Sequence, residues 1–189
     1  MSDPFLDSAG FELRSLPDCV SSLLVAVGAP PRLVAHLRLV HDVAVQLVCD
    51  VSDNWPSLAF DREAVAFGAA THDVGKAFHP DELNSPGVAH ERDGRRLLLD
   101  RGIRDDFARF AETHAVSKHR DDASLEDLLV ALADTCWKGK RSERLDDLVV
   151  DAIIAQVASE RWQIFSSLDA IIEKHAADGD KRLAWQGQY

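Results

Sequence analysis

The sequence is poor in the features that build sheets, cross-links and membrane spans. β-Branched residues do not alternate with polar ones in runs bounded by turn signals, so no strand is legible. Three cysteines, Cys19, Cys49 and Cys136, stand far apart, each in an apolar neighbourhood. That spacing argues against a disulfide framework or a zinc ribbon and points to reduced core thiols. No apolar run approaches the roughly 18 residues that a bilayer-spanning helix needs, which removes the membrane class. Positive charge is short too: 21 Lys and Arg face 32 Asp and Glu, for a formal charge of -11. A surface for nucleic acid normally leaves a basic footprint, so general nucleic-acid binding is not expected. A small phosphorylated substrate stays open, because a local cation cluster or a metal overrides the net charge. The first residues, MSDPFLDSAGFELRSL, are acidic where a secretory signal is basic and then apolar, so a cytoplasmic location is expected.

What the sequence does hold is helical periodicity. The 189 residues, 46% of them apolar, suffice for one hydrophobic core, and a single all-α domain, 1–189, is expected: a bundle of about seven helices. A first helix is predicted from about Pro17 to Val27, stopped by Gly28-Ala29-Pro30-Pro31. The second starts near Pro31 and carries Leu33, Leu37, Val40, Ala44 and Leu47 at three- and four-residue spacing. Asp61 is placed to cap a third, nearly all-apolar helix that runs into His72-Asp73-Val74-Gly75-Lys76, with Gly75 as its terminator. Further helices are expected near Val88 to Arg101, Arg104 to Lys118, Ser124 to Trp137, where Ser124 and Asp127 resemble a capping box, and Glu143 to Ala176. Residues 178–189 are left open between a frayed tail and one that docks back.

Imidazoles and carboxylates interrupt these helices where the apolar period calls for Leu or Ala. A buried ionisable group needs a partner. His72 and Asp73 follow FGAAT on an apolar helix, and a divalent metal satisfies both together. Side chains of helical neighbours diverge by roughly 100°, so a helix end is where both turn most easily toward one ion.

The helical His in RLVHDVAVQL, the His-Asp pair in GAATHDVGK and the later Asp in LVALADTCWKGKR resemble, in that order, the HD superfamily of metal-dependent phosphohydrolases, over roughly residues 32 to 145. The resemblance implies that His41, His72, Asp73 and Asp134 ligate a metal, with Asp42 a solvent-side charge. It also suggests His90 and His114 for a second ion, with Asp73 as the bridge and His119 as an alternative to His114. The 20-residue separation of His114 from Asp134 is similar to that in bacterial dinucleoside tetraphosphate hydrolases of the superfamily. The GYP segment of cyclic-di-GMP phosphodiesterases and the added regions of stringent-response enzymes are missing, which leaves the small single-domain branch.

The implied reaction is hydrolysis of a phosphate ester or anhydride, of a nucleotide for preference, by a metal-activated water. Asp73 and Lys76 are the candidate catalytic residues, and Lys76, Arg38, Lys138 and Arg141 the candidate phosphate contacts. One or two divalent ions (Fe, Mn, Ni, Co or Zn) are the expected cofactor. Two rivals remain on the same scaffold: a diiron oxygenase and a non-catalytic nucleotide sensor. His36, His79 and His175 show no pattern and are read as structural or solvent-facing, His79 with an option on substrate. A homodimer is left open.

Overall fold

Helices begin where the sequence supplies a first-turn proline or an oxygen for the free amides. The computed structural model describes residues 13–115 and 123–189. α1 (Asp18–Ala26) is followed by Gly28, whose φ of 63° lies in the left-handed region that glycine enters without strain. α2 (Pro31–Asn54) starts on Pro31, where a missing N–H costs nothing. In α3 (Arg62–Thr71) the Asp61 carboxylate accepts from Ala64 N. The chain then passes through two 3-10 turns, Val74–Ala77 and Pro80–Leu83, into α4 (Ala89–Asp100). Two single turns follow, α5 (Asp105–Ala108) and α6 (Phe110–Thr113). α7 (Leu125–Cys136) and α8 (Glu143–Ile154) are capped by the hydroxyls of Ser124 and Ser142. α9 (Arg161–Ala176) and α10 (Gly179–Gln186) complete the fold.

The all-α expectation holds: among the described residues there are eight helices of eight or more residues, two single turns and no strand. Several boundaries differ. The long helix expected over 143–176 is two, because the Gln163 side chain accepts from Glu160 N and Ser159 Oγ and starts α9 afresh. The helix expected from Arg104 breaks into α5 and α6 and ends before His114; its continuation to Lys118 lies outside the described residues. The C-terminal segment docks, with Trp185 buried and its ring edge against Tyr189. Cys136 is a buried thiol as expected, whereas Cys19 and Cys49 are exposed, on the outward faces of α1 and α2. No helix among the described residues is long and apolar enough to cross a membrane.

α2 is the axis of the bundle and packs on α3, α7 and α9. Every residue from Ala35 to Ala44 is buried, charged ones included. Two apolar clusters meet along α2 and α3. Ala35 and Ala69 belong to the larger one, with α7, α8 and α9. Leu37 and Ala70 belong to the smaller one, with α1 and α4. His36 and His72 sit at this seam. A close approach also helps to fix it: a Cβ on Gly75 would lie 2.0 Å from the His90 carbonyl oxygen, and one on Gly94 3.1 Å from Gly75 N. Glycine at both positions lets the turn after Asp73 lie directly on the backbone of α4.

Candidate metal centre

Six buried or half-buried side chains from five parts of the chain converge at this seam. His36 comes from the second turn of α2, and His72 is the C-cap of α3. Asp73 follows with φ -104° and ψ 9°, outside the helical region. This departure lets two chain neighbours reach one place, His72 Nε2 lying 3.6 Å from Asp73 Oδ2. α4 brings His90, the end of α6 brings His114, and α7 brings Asp134.

The ligand-type atoms fall into two groups, each spanning less than 4.8 Å: His36, His72 and Asp134, and Asp73, His90 and His114. In the first, His36 Nε2 stands 3.2 Å from His72 Nε2 and 3.5 Å from Asp134 Oδ1. In the second, His90 and His114 present Nε2 to Asp73 Oδ1 at 3.2 and 3.5 Å. Asp73 joins the groups, because its other oxygen, Oδ2, lies 3.1 Å from His36 Nε2.

The outward nitrogens decide what the inward ones offer. His72 Nδ1 lies 2.9 Å from the Ala69 carbonyl and His114 Nδ1 3.2 Å from that of Phe110. His90 Nδ1 is against the Glu82 carboxylate. An oxygen acceptor draws the ring hydrogen to Nδ1 and leaves a lone pair on Nε2. At His90 that lone pair faces Asp73 Oδ1 inside the protein, acceptor against acceptor, a pairing that a bound cation satisfies. Asp73 Oδ1 and His90 Nε2 are buried with no hydrogen-bond partner. His and Asp are the borderline-to-hard donors that suit divalent transition metals, so these residues fit such an ion.

Burial and the facing charges act against each other on the ionisable groups. Burial pushes Asp73 up, but the facing imidazoles, His72 foremost, hold it well below the usual carboxylate range. Asp134 is likewise depressed against the cost of burial, by His72, Lys138 and His36. Burial lowers His36 and brings His114 down to about 4. His72 is raised, because Asp73 and Asp134 outweigh its burial.

A ring of supporting contacts surrounds the six. Lys76 Nζ donates to Asp73 Oδ2 at 2.6 Å and Lys138 Nζ to Asp134 Oδ2 at 3.4 Å. Trp137 Nε1 donates to Asp134 Oδ1 at 3.1 Å while its indole meets the His36 ring edge-on.

The sequence-based site is therefore corrected at several points. His41 is not at the cluster: its Nδ1 lies 3.0 Å from the Ala66 carbonyl, and His36 stands in the expected place. Five residues at about 100° each set the two about 140° apart around α2. Asp42 is buried, not solvent-facing, and binds Arg14 and Gln46. Arg38, two residues from His36, is carried to another face of α2, where it lines a cavity of about 590 Å³ with Leu24, Val25 and Val34 and with none of the six. Arg141 is held by Asp146 and Asp169, as a strut between α8 and α9. His79 pairs with Asp93 and His175 with Asp50. His119 lies outside the described residues. Sequence reasoning missed His36, Glu82 and Trp137 as members of the centre.

No solved structure matches the chain significantly. The family model described as HD domain matches residues 33–136, more than half of the chain and a span containing all six cluster residues. The chain belongs to the HD-domain superfamily of metal-dependent phosphohydrolases.

Proposed function

We propose that this chain hydrolyses a phosphate ester or anhydride of a small phosphorylated molecule, a nucleotide for preference, with two divalent ions held by His36, His72 and Asp134 and by His90 and His114, and Asp73 between them. The observation that carries this reading is the convergence of buried electron-pair donors, with Asp73 Oδ1 and His90 Nε2 facing each other without a hydrogen-bond partner. Divalent ions bound there supply a Lewis acid and make hydroxide accessible near neutral pH. The protein supplies the rest. Asp73 splits its two oxygens between the two groups and fixes their separation. Lys76 and Lys138 pair with cluster carboxylates yet keep part of their surface open, so each can pass from carboxylate to an arriving phosphate oxygen. In a chain of formal charge -11 that local positive charge is what lets an anion approach. The preference for nucleotides rests on the likeness to dinucleoside tetraphosphate hydrolases in the spacing of His114 and Asp134.

The test is a panel of nucleoside phosphates, dinucleoside polyphosphates and cyclic diesters, assayed for phosphate release with Mn, Fe, Co, Ni and Zn. Release from one or more nucleotides is expected, abolished by chelator and reduced roughly 100- to 1,000-fold by Asp73→Asn, the scale for losing a principal electrostatic contributor. Oxygen consumption with iron and no phosphate release would favour the oxygenase. Tight metal binding without turnover of any substrate would favour a sensor.

A further inference from the structure

The connection between Asp73 and α4 holds a carboxylate that the chemistry above leaves unused. Glu82 sits in the turn Pro80–Leu83, and its two oxygens meet three donors of α4. Oε1 accepts from Ala89 N at 3.1 Å, and Oε2 accepts from His90 N at 3.2 Å and from His90 Nδ1. The residue thus caps α4 and grips the ring of His90 at once. The chain closes tightly around it, because a Cβ on Gly87 would fall 2.3 Å from the Glu82 carboxyl carbon.

The grip has a consequence on the far side of the ring. With Nδ1–H given to Glu82, the lone pair of His90 sits on Nε2, 3.2 Å from Asp73 Oδ1. Both atoms are buried and lack a hydrogen-bond partner. Two electron-pair donors facing each other in a low-dielectric site repel unless a cation lies with them. A ring free to turn would relieve this by presenting an N–H to Asp73; Glu82 prevents it.

We propose that Glu82 is a positioning residue that makes His90 a ligand of the second ion, by fixing its tautomer and ring plane; the inference rests on the two-ion reading above. The role needs a carboxylate. An amide has one acceptor oxygen for donors that Glu82 meets with two, so Glu82→Gln sets an NH2 group against either the backbone of α4 or the imidazole N–H.

The experiment is a calorimetric titration of metal-free protein with Zn²⁺ and separately with Mn²⁺, for the full chain, Glu82→Gln and His90→Gln, joined to the ¹⁵N imidazole spectrum of each metal-free protein. Wild type should take up two ions. Glu82→Gln should bind the first unchanged and the second roughly 10- to 100-fold more weakly, the usual effect of removing a ligand's outer partner. His90→Gln should lose the second ion. The His90 nitrogens should show Nδ1–H in wild type and a shift toward Nε2–H in Glu82→Gln, a signature that simple loss of the α4 cap would not produce. A wild type that binds one ion overturns the two-ion reading itself. A wild type with two ions and a Glu82→Gln variant with the same affinities and tautomer overturns the role of Glu82 alone. Should Glu82→Gln fail to fold, the wild-type spectrum decides, since Nε2–H on His90 contradicts the proposal directly.

Discussion

Which nitrogen of each imidazole keeps its hydrogen governs the centre. His72, His90 and His114 each spend Nδ1 on an oxygen outside the cluster and turn Nε2 inward. Substitutions at the two candidate histidines of α2 separate this geometry from a mere excess of histidine. His36→Gln should abolish binding of one ion and lower activity by roughly 100-fold or more, whereas His41→Gln should leave metal content intact and cost about 1–3 kcal/mol of stability through the carbonyl of Ala66. Metal analysis and denaturant unfolding of the two variants check both halves. The His72-Asp73 pair was legible because two ionisable groups on so apolar a helix have few ways to be satisfied. The choice of His36 was not, because α2 is buried from Ala35 to Ala44 and the apolar period cannot tell one face from another. Glu82 was hidden for a different reason: it meets His90 through a turn, and no helical period links them.

Between the elements, the decisive contact is backbone on backbone. Asp73 and His90 are close because the turn containing Gly75 lies against α4 at His90 and Gly94. Gly75→Ala should force the two apart, since its Cβ would sit 2.0 Å from a backbone oxygen that cannot rotate away. The expected cost is about 1–3 kcal/mol of stability, with metal affinity weakened as well; thermal unfolding with and without metal measures both. Read from sequence, Gly75 was a helix terminator; in the structure α3 has already ended at Thr71 and the glycine serves proximity. Pro31, Asp61 and Ser124 mark true helix starts because capping is local chemistry. The break between α8 and α9 escaped because no glycine or proline marks it, only the polar contacts of Ser159, Glu160 and Gln163. The docked tail was undecidable for a similar reason, since burial of Trp185 depends on partners distant in the chain.

For the whole molecule, buried histidines set the response to acid. Burial lowers His36, His41, His114 and His175 below the ordinary value of 6.5, His114 to about 4, while His72 moves the other way. Between those limits the unfolded chain binds more protons than the folded one, so metal-free protein should lose stability as pH falls from 6.5 toward 4. The slope is at most about 1.4 kcal/mol per pH unit for each lowered histidine; His72, raised above 6.5, is protonated in both states across this window and acts only above it. Denaturant unfolding at pH 7 and pH 5 checks the sign. Bound metal adds a separate contribution: each ion at 100 times its dissociation constant stabilises by about 2.7 kcal/mol. Chelation should therefore lower Tm by roughly 5–10 °C per ion for a chain of this size.

The most direct test is anomalous X-ray diffraction from crystals grown with Mn²⁺ or Zn²⁺, measured at the metal edge. Two peaks are predicted, one among His36, His72 and Asp134 and one among Asp73, His90 and His114. A metal-soaked crystal with no peak at either group, or with its peak at His41, would contradict the account.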